Sequence, residues 1–278
     1  MTKNKRLLRR KAVRILSNLY AVLVYSVFYI PVAVMIVFSF NDAKRNYYWQ
    51  GFTTEWYGKL FSFANTDLWD ALLYSLIIAV LATLISVTIG VLGGIGLKKF
   101  EFRTKRFINM MIYVPIIVPE IVLAVALLII FMTVGIRLGM GTILIGHCTF
   151  CIPYAVVTIK GRITGDSETL QEASMDLGAN RFQTFWRVTV PSIMPGILSS
   201  AFLAFTLSID DVVMSNMLAG PSQSTLPVLI LSLNRTGITP DVNALTTVMV
   251  ALMVAGMLAL TDGSVPAVRL LQLLLNLG

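Results

Sequence analysis

Three carboxylates stand in stretches of sequence that otherwise carry no charge. Glu120 lies in the apolar run Ile108–Val134, and Asp210 and Asp211 lie in the run Ile193–Val213. Both runs are long enough to cross a bilayer, where an ionised carboxylate costs about 3 kcal/mol on insertion scales. Such acids face a bundle interior or a watery cavity, and they are held by a basic partner, a helix end or a cationic passenger. No Lys or Arg falls inside any of the six apolar runs identified below, so ion pairing with those bases within the membrane is closed to them. The chemistry that remains is a route lined for something cationic. Neighbouring residues on a helix point about 100° apart, so at most one of Asp210 and Asp211 faces such a route squarely unless the helix ends there. The run His147-Cys148-Thr149-Phe150-Cys151 invites a metal reading, but it sits in an apolar helix and no second ligand pair exists in the chain. It reads as packing, with no metal site.

A second group of residues belongs to the polar island Glu168–Pro191, between two long apolar runs. Thr169 and Glu172 fit a capping box, and Gly178 follows Leu170, Ala173 and Leu177 as a C′ residue would. Asn180 with Gln183 starts a second helix, which Pro191 is expected to stop. That helix carries Phe182, Phe185 and Trp186 at i, i+3, i+4 spacing beside Arg181 and Arg187. A helix–Gly–helix finger with an aromatic knob suits insertion into a groove on a soluble partner.

The elements that position these residues are membrane spans. Of the 278 residues 56% are hydrophobic and only 13% charged, with a mean hydropathy of +0.80; a soluble domain carries about a quarter charged residues. Six spans are expected: Ile15–Phe40, Ala71–Leu97, Ile108–Val134, Leu138–Ile159, Ile193–Val213 and Val242–Leu260. With the N-terminus inside, seventeen Lys and Arg fall on inner segments and five on outer ones. Both termini and the polar finger are therefore expected on the cytoplasmic side. The net charge of +8 is a matter of orientation rather than of nucleic acid. The N-terminal basic cluster followed by Ile15–Phe40 resembles a signal peptide, but the apolar run is too long, so it reads as an uncleaved first span.

Between the spans, Asn41–Asp70 carries Tyr47, Tyr48, Trp49, Trp56 and Tyr57, either as an interfacial belt or as an aromatic lip that meets a cationic solute. Gly90, Gly93, Gly94 and Gly96 allow close helix approach in the second span, and no Gly-Lys-Ser/Thr follows them, so the chain has no phosphate loop of its own. Pro115 and Pro119 are expected to kink the third span. Val228–Leu233 is too short to cross and reads as re-entrant or interfacial. The chain is read as one domain, 1–278, with a coupling loop at 160–195 and a tail, 261–278, to which no role is given.

The polar finger also resembles a loop of ABC importer permeases, of the form E-A-A, three residues, G, nine residues, I-x-L-P. Glu172-Ala173-Ser174, Gly178 and Val188-Thr189-Val190-Pro191 stand at those spacings, with Ser174, Val188 and Val190 as departures of similar character. The runs Trp49–Tyr57, Phe205–Val213 and Pro240–Leu245 look like polyamine (spermidine/putrescine) importer permeases, specifically the second of their two permease subunits. The likeness extends from about residue 15 to 260.

It implies an all-α polytopic protein of six transmembrane helices in the type I ABC importer permease fold, methionine-permease-like, in the bacterial cytoplasmic membrane. It further implies a heterodimer with a sister permease, two ATPase subunits that bind ATP and Mg²⁺, and an extracytoplasmic polyamine-binding protein, with no cofactor in this chain. Glu172, Ala173, Gly178, Phe182, Phe185 and Pro191 are then expected to couple to the ATPase, and Trp49, Glu120, Asp210 and Asp211 to line the substrate path. The competing readings are a permease for iron, thiamine or phosphonate, and a self-contained secondary transporter in which Glu120 or Asp210 carries protons. An enzyme is disfavoured: no nucleophile is paired with a base.

Overall fold

The computed structural model describes residues 3–43, 48–62, 66–163, 165–221, 224–236 and 239–261, excepting the side chains of 3–12, 165–168, 234–236 and 256–261. Tyr47 and the tail from 262 onward, singled out above, lie outside the described residues. Those residues are helical, apart from loops and one isolated antiparallel bridge, Asn41 to Phe52. The described residues gather into two units, those up to 62 with those from 233 to 261, and those between 66 and 232.

In the first unit, α1 (Lys3–Phe38) and α12 (Pro240–Thr261) pack together, and α2 (Glu55–Phe61) packs on α12. The aromatic segment is built on Asn41, which is fully buried. Its amide Nδ2 donates to the Tyr48 carbonyl at 2.8 Å and its Oδ1 accepts from the Gln50 N–H at 2.8 Å. Its own carbonyl accepts from the Trp56 indole at 2.8 Å. Phe40 stacks on Phe52 with ring centroids 5.3 Å apart and packs against Tyr57 at 5.0 Å. Aromatic side chains therefore fold this segment onto itself, the Trp56 indole and the Tyr57 hydroxyl finding polar partners.

In the second unit, α3 (Thr66–Lys99), α6 (Met140–Lys160) and α9 (Val190–Ile209) pack pairwise. Small residues make this possible. Gly90 and Gly94 of α3 meet Ala155 and Ile159 of α6, so the two backbones approach closely. Around them a core is filled by Ile78, Ala124, Phe131, Ile143, Phe150 and Cys151, with Met214 and Leu218 from the short helix α10 (Val213–Leu218). The Cys151 thiol donates to the Ala204 carbonyl, 3.6 Å away, joining α6 to α9.

The third expected span is more than kinked. Pro115 sits inside α4 (Lys105–Ile117), but at Pro119 the helix breaks, and α5 (Glu120–Val134) leaves at 107°. The cause is local: the residue before a proline is pushed out of the helical region, and Val118 is extended at φ −69°, ψ 133°. Pro119, which has no N–H to give, opens the new helix.

Among the described residues four helical stretches are long and apolar enough to cross a membrane: Val13–Phe38, Thr66–Lys99, Met140–Lys160 and Arg181–Ile209. The bent α4–α5 pair makes a fifth if counted as one span, and α12 stands where the sixth was expected, its apolar stretch Pro240–Ala255 being shorter. Val228–Leu233 falls within α11 (Leu226–Thr236), whose first N–H donates to Ser75 Oγ of α3 at 2.8 Å.

The polar finger differs from expectation at both ends. Its first helix, α7 (Gly165–Asp176), starts four residues before Thr169, so Thr169 and Glu172 lie within it rather than at its start. Its second, α8 (Arg181–Thr184), is not stopped by Pro191. It widens into a π turn over Phe185–Thr189, where the Val190 N–H reaches back five residues to the Phe185 carbonyl. The chain then continues as α9 with Pro191 in its first turn, where a missing N–H costs nothing. Shifting the ladder by one residue lets one helix run through a proline.

Candidate functional site

Two places in the second unit carry chemistry. The first is a cavity of about 500 Å³ at the α4–α5 break. Pro115, Val118, Glu120 and Leu123 line it from the broken helix, Phe150 and Tyr154 from α6, and Leu207, Asp210, Asp211 and Val213 from the end of α9 onward. Glu120 is the first residue of α5, where the positive end of the helix dipole favours a carboxylate. Asp210 follows the last residue of α9, and the chain resumes as α10 only at Val213. The helix thus ends at the two acids, which frees them from the 100° rule that would have turned one away.

The two aspartates divide. Asp210 is exposed, whereas Asp211 is buried. Its Oδ2 accepts from the Ser215 N–H at 2.7 Å and its Oδ1 from the Met214 N–H at 3.3 Å, which caps α10. The imidazole of His147 closes on the same carboxylate, Nε2 to Oδ2 at 3.1 Å. The remaining ring nitrogen, Nδ1, is 2.6 Å from Ser208 Oγ, and Nε2 is 3.1 Å from Ser215 Oγ. The Asp211 carboxyl lines the same cavity as Glu120. Glu120, Asp210 and Asp211 are therefore brought to one cavity, Glu120 and Asp210 exposed and Asp211 buried in its wall.

His147 corrects the sequence reading, which treated it as packing and counted only Lys and Arg as partners for buried acids. It is 1% exposed and makes three polar contacts. The signal was present: this is the chain's one histidine, it lies in an apolar run, and a buried polar ring needs partners. Trp49 belongs to the first unit, half-exposed, its ring edge-on to Phe38 with centroids 6.2 Å apart.

The second place is the finger. Gly178 has φ +92°, the left-handed region that glycine enters freely. Its N–H donates to the Met175 carbonyl at 2.9 Å, and the Ala179 N–H to the Ser174 carbonyl at 3.2 Å, the paired bonds of a Schellman cap. Asn180 and Gln183 cap the next helix reciprocally: the Gln183 N–H donates to Asn180 Oδ1 at 2.8 Å, and the Asn180 N–H to Gln183 Oε1 at 3.0 Å. Ser174 and Thr184 hydroxyls, 3.2 Å apart, tie the two helices together, and Lys99 at the end of α3 donates to the Gln171 side chain at 3.1 Å.

This rigid turn presents apolar side chains outward. Leu177 is 91% exposed, Phe182 72% and Trp186 55%. The Trp186 ring stands edge-on to Phe185, with centroids 5.3 Å apart, and packs at 6.4 Å from Phe182. Glu172 and Ala173 lie on the exposed side of α7. A polar connection that exposes its largest apolar groups on a braced turn has the form of a docking knob.

Residues 86–269 match the family model of binding-protein-dependent transport system inner membrane components. The chain is 40% identical over 239 residues to the spermidine/putrescine transport system permease protein PotC of Escherichia coli (strain K12), covering 86% of this chain and 90% of that one. In structure it is similar to a chain of a bacterial ABC transporter involved in the import of the acidic polysaccharide alginate. There the TM-score is 0.67 at 13% identity, over 93% of this chain and 97% of the other. It is similar also to a chain of the MetNI methionine ABC transporter, TM-score 0.56 at 18% identity, over 75% and 97%. These likenesses establish the fold of ABC importer permeases.

Proposed function

We propose that this chain, which belongs to the family of binding-protein-dependent transport system inner membrane components, is a permease subunit that passes polyamines through the membrane in an ATP-driven importer. It is a multi-pass membrane protein and a transport component rather than an enzyme. The observation that carries the substrate class is the acid-lined cavity at the α4–α5 break. Glu120 at the start of α5 and Asp210 at the end of α9 open onto it, and apolar Pro115, Leu123 and Leu207 line it with them. An extended diamine has a cation at each end and methylenes between. Two separated carboxylates can replace its hydration in stages, each holding weakly enough to release. The 40% identity to a spermidine/putrescine permease supports the same reading.

The finger is the natural site of coupling. Phe182, Phe185 and Trp186 form the knob, Gly178 and Pro191 shape it, and Glu172 with Ala173 flanks it. A sister permease, two ATPase subunits that bind ATP and Mg²⁺, and an extracytoplasmic binding protein complete the importer. Trp49 is assigned to the outer end of the path, where an aromatic face meets an ammonium group.

The test is uptake into proteoliposomes containing the purified complex and its binding protein. Putrescine or spermidine should accumulate with ATP and stimulate hydrolysis. Stimulation by an anionic solute, with none by either polyamine, would overturn the substrate assignment.

A further inference from the structure

We propose that His147 is a positioning residue for the solute path, the anchor on which the acidic wall of the cavity is held; this rests on the cation-path reading above. His147 stands behind the cavity, buried in α6, and connects three elements. Its Nδ1 meets Ser208 of α9 at 2.6 Å, and its Nε2 meets Asp211, between α9 and α10, at 3.1 Å. Asp211 in turn lines the cavity together with Glu120 at the start of α5. A buried carboxylate must be matched by donors on each side that water cannot reach. The Met214 and Ser215 N–H groups supply donors from α10, but they hold Asp211 only to its own chain segment. The imidazole supplies the lateral tie to α6. Without it the Asp211 carboxylate is held only by its own segment's N–H groups and shifts within the cavity wall relative to Glu120 and Asp210. The spacing of the three acids in that wall is then lost.

Amide side chains separate this role from packing. The amide nitrogen of Gln can take the place of Nε2 and keep the Asp211 bond, while that of Asn takes the place of Nδ1 and keeps only Ser208. In the reconstituted complex, His147→Gln should hold the putrescine KM within about threefold of the parent. His147→Asn and His147→Leu should each raise KM about tenfold or more, as loss of a hydrogen bond to a charged group does. The maximal rate per assembled complex should change less than KM. If His147→Gln is no better than His147→Asn, the ring only fills space and the proposal is overturned. That comparison of Gln with Asn decides between the two roles even where His147→Leu does not assemble.

A second measurement does not need the solute. Cysteine placed at 210 in a Cys148→Ser, Cys151→Ser background is alkylated with a maleimide, and the rate should shift with His147→Leu but not with His147→Gln. A parent complex that takes up no putrescine, yet shows that labelling difference, refutes the cation path and leaves the anchor standing. Uptake that is normal throughout, with no labelling difference, refutes the anchor alone.

Discussion

Gly90 and Ala155 stand so close that a methyl group on Gly90 would lie 2.7 Å from the Ala155 Cβ and 3.1 Å from its carbonyl carbon. Neither atom is the end of a flexible side chain, so the helices themselves would have to part. Gly90→Ala should therefore lower the thermal stability of the purified complex, by about 1–3 kcal/mol for overpacking. Gly96 is the control, since nothing lies within 4 Å of the same position there. Gly96→Ala should be neutral or mildly stabilising, alanine being the better helix former by about 1 kcal/mol. Thermal unfolding of both variants reads the contrast, and equal behaviour would mean that α3 and α6 do not pack through Gly90.

How much was legible before the fold was known follows from range. The apolar runs, the glycine face of α3 and the caps at Gly178 and Asn180 are local signals, each set by residues within a few positions of one another. The break at Pro119 was legible as a disturbance, though its size was not, because Pro115 carries the same local signal and stays within α4. The π turn is subtler still: Pro191 announces a stop, yet the helix runs on through a π turn with Thr184 and Thr189 buried beside it. The division of labour between Asp210 and Asp211 was hidden, because it depends on His147, 64 positions from Asp211 in sequence. A pairing of that range leaves no mark on local periodicity.

Gly178 offers a graded test of coupling. Its φ of +92° strains any L side chain, yet open space surrounds it, so a substitution there costs conformation and not contact. Asn tolerates the left-handed region better than Ala does. Solute-stimulated ATPase activity and uptake should therefore fall in the order Gly178, Gly178→Asn, Gly178→Ala, the last at a cost of about 1 kcal/mol or more. Gly178→Arg and Glu172→Ala complete the series. Variants that assemble and couple like the parent would detach the finger from the ATPase.

Orientation can be read with single cysteines in a background lacking Cys148 and Cys151. The proposed topology puts Asn180 on the cytoplasmic side, with both termini, and Gln50 outside. A membrane-impermeant maleimide applied to intact cells should label Gln50→Cys and leave Asn180→Cys untouched until the cells are opened. Labelling of position 180 from outside would invert every assignment of inner and outer surface made for this chain.

The three acids should part company when neutralised. Glu120 and Asp210 open onto the cavity, so Glu120→Gln and Asp210→Asn remove charge where a cation passes and little else. Each should raise the putrescine KM about tenfold or more, the measure of one charge-assisted hydrogen bond, while assembly with the partner subunits is kept. Asp211→Asn is a different experiment. Its carboxylate accepts two backbone N–H groups and faces the His147 ring, and an amide nitrogen in that place would turn a donor toward donors. A buried donor left without an acceptor costs about 1–3 kcal/mol, so this variant should lose thermal stability as well as uptake. The discriminating quantity is uptake per assembled complex, plotted against unfolding temperature for all three. Glu120→Gln and Asp210→Asn should lose uptake at the parent's unfolding temperature, and Asp211→Asn should lose both together. If the two cavity-facing variants transport with the parent's KM, the acids serve the fold alone and the cationic solute has no path here.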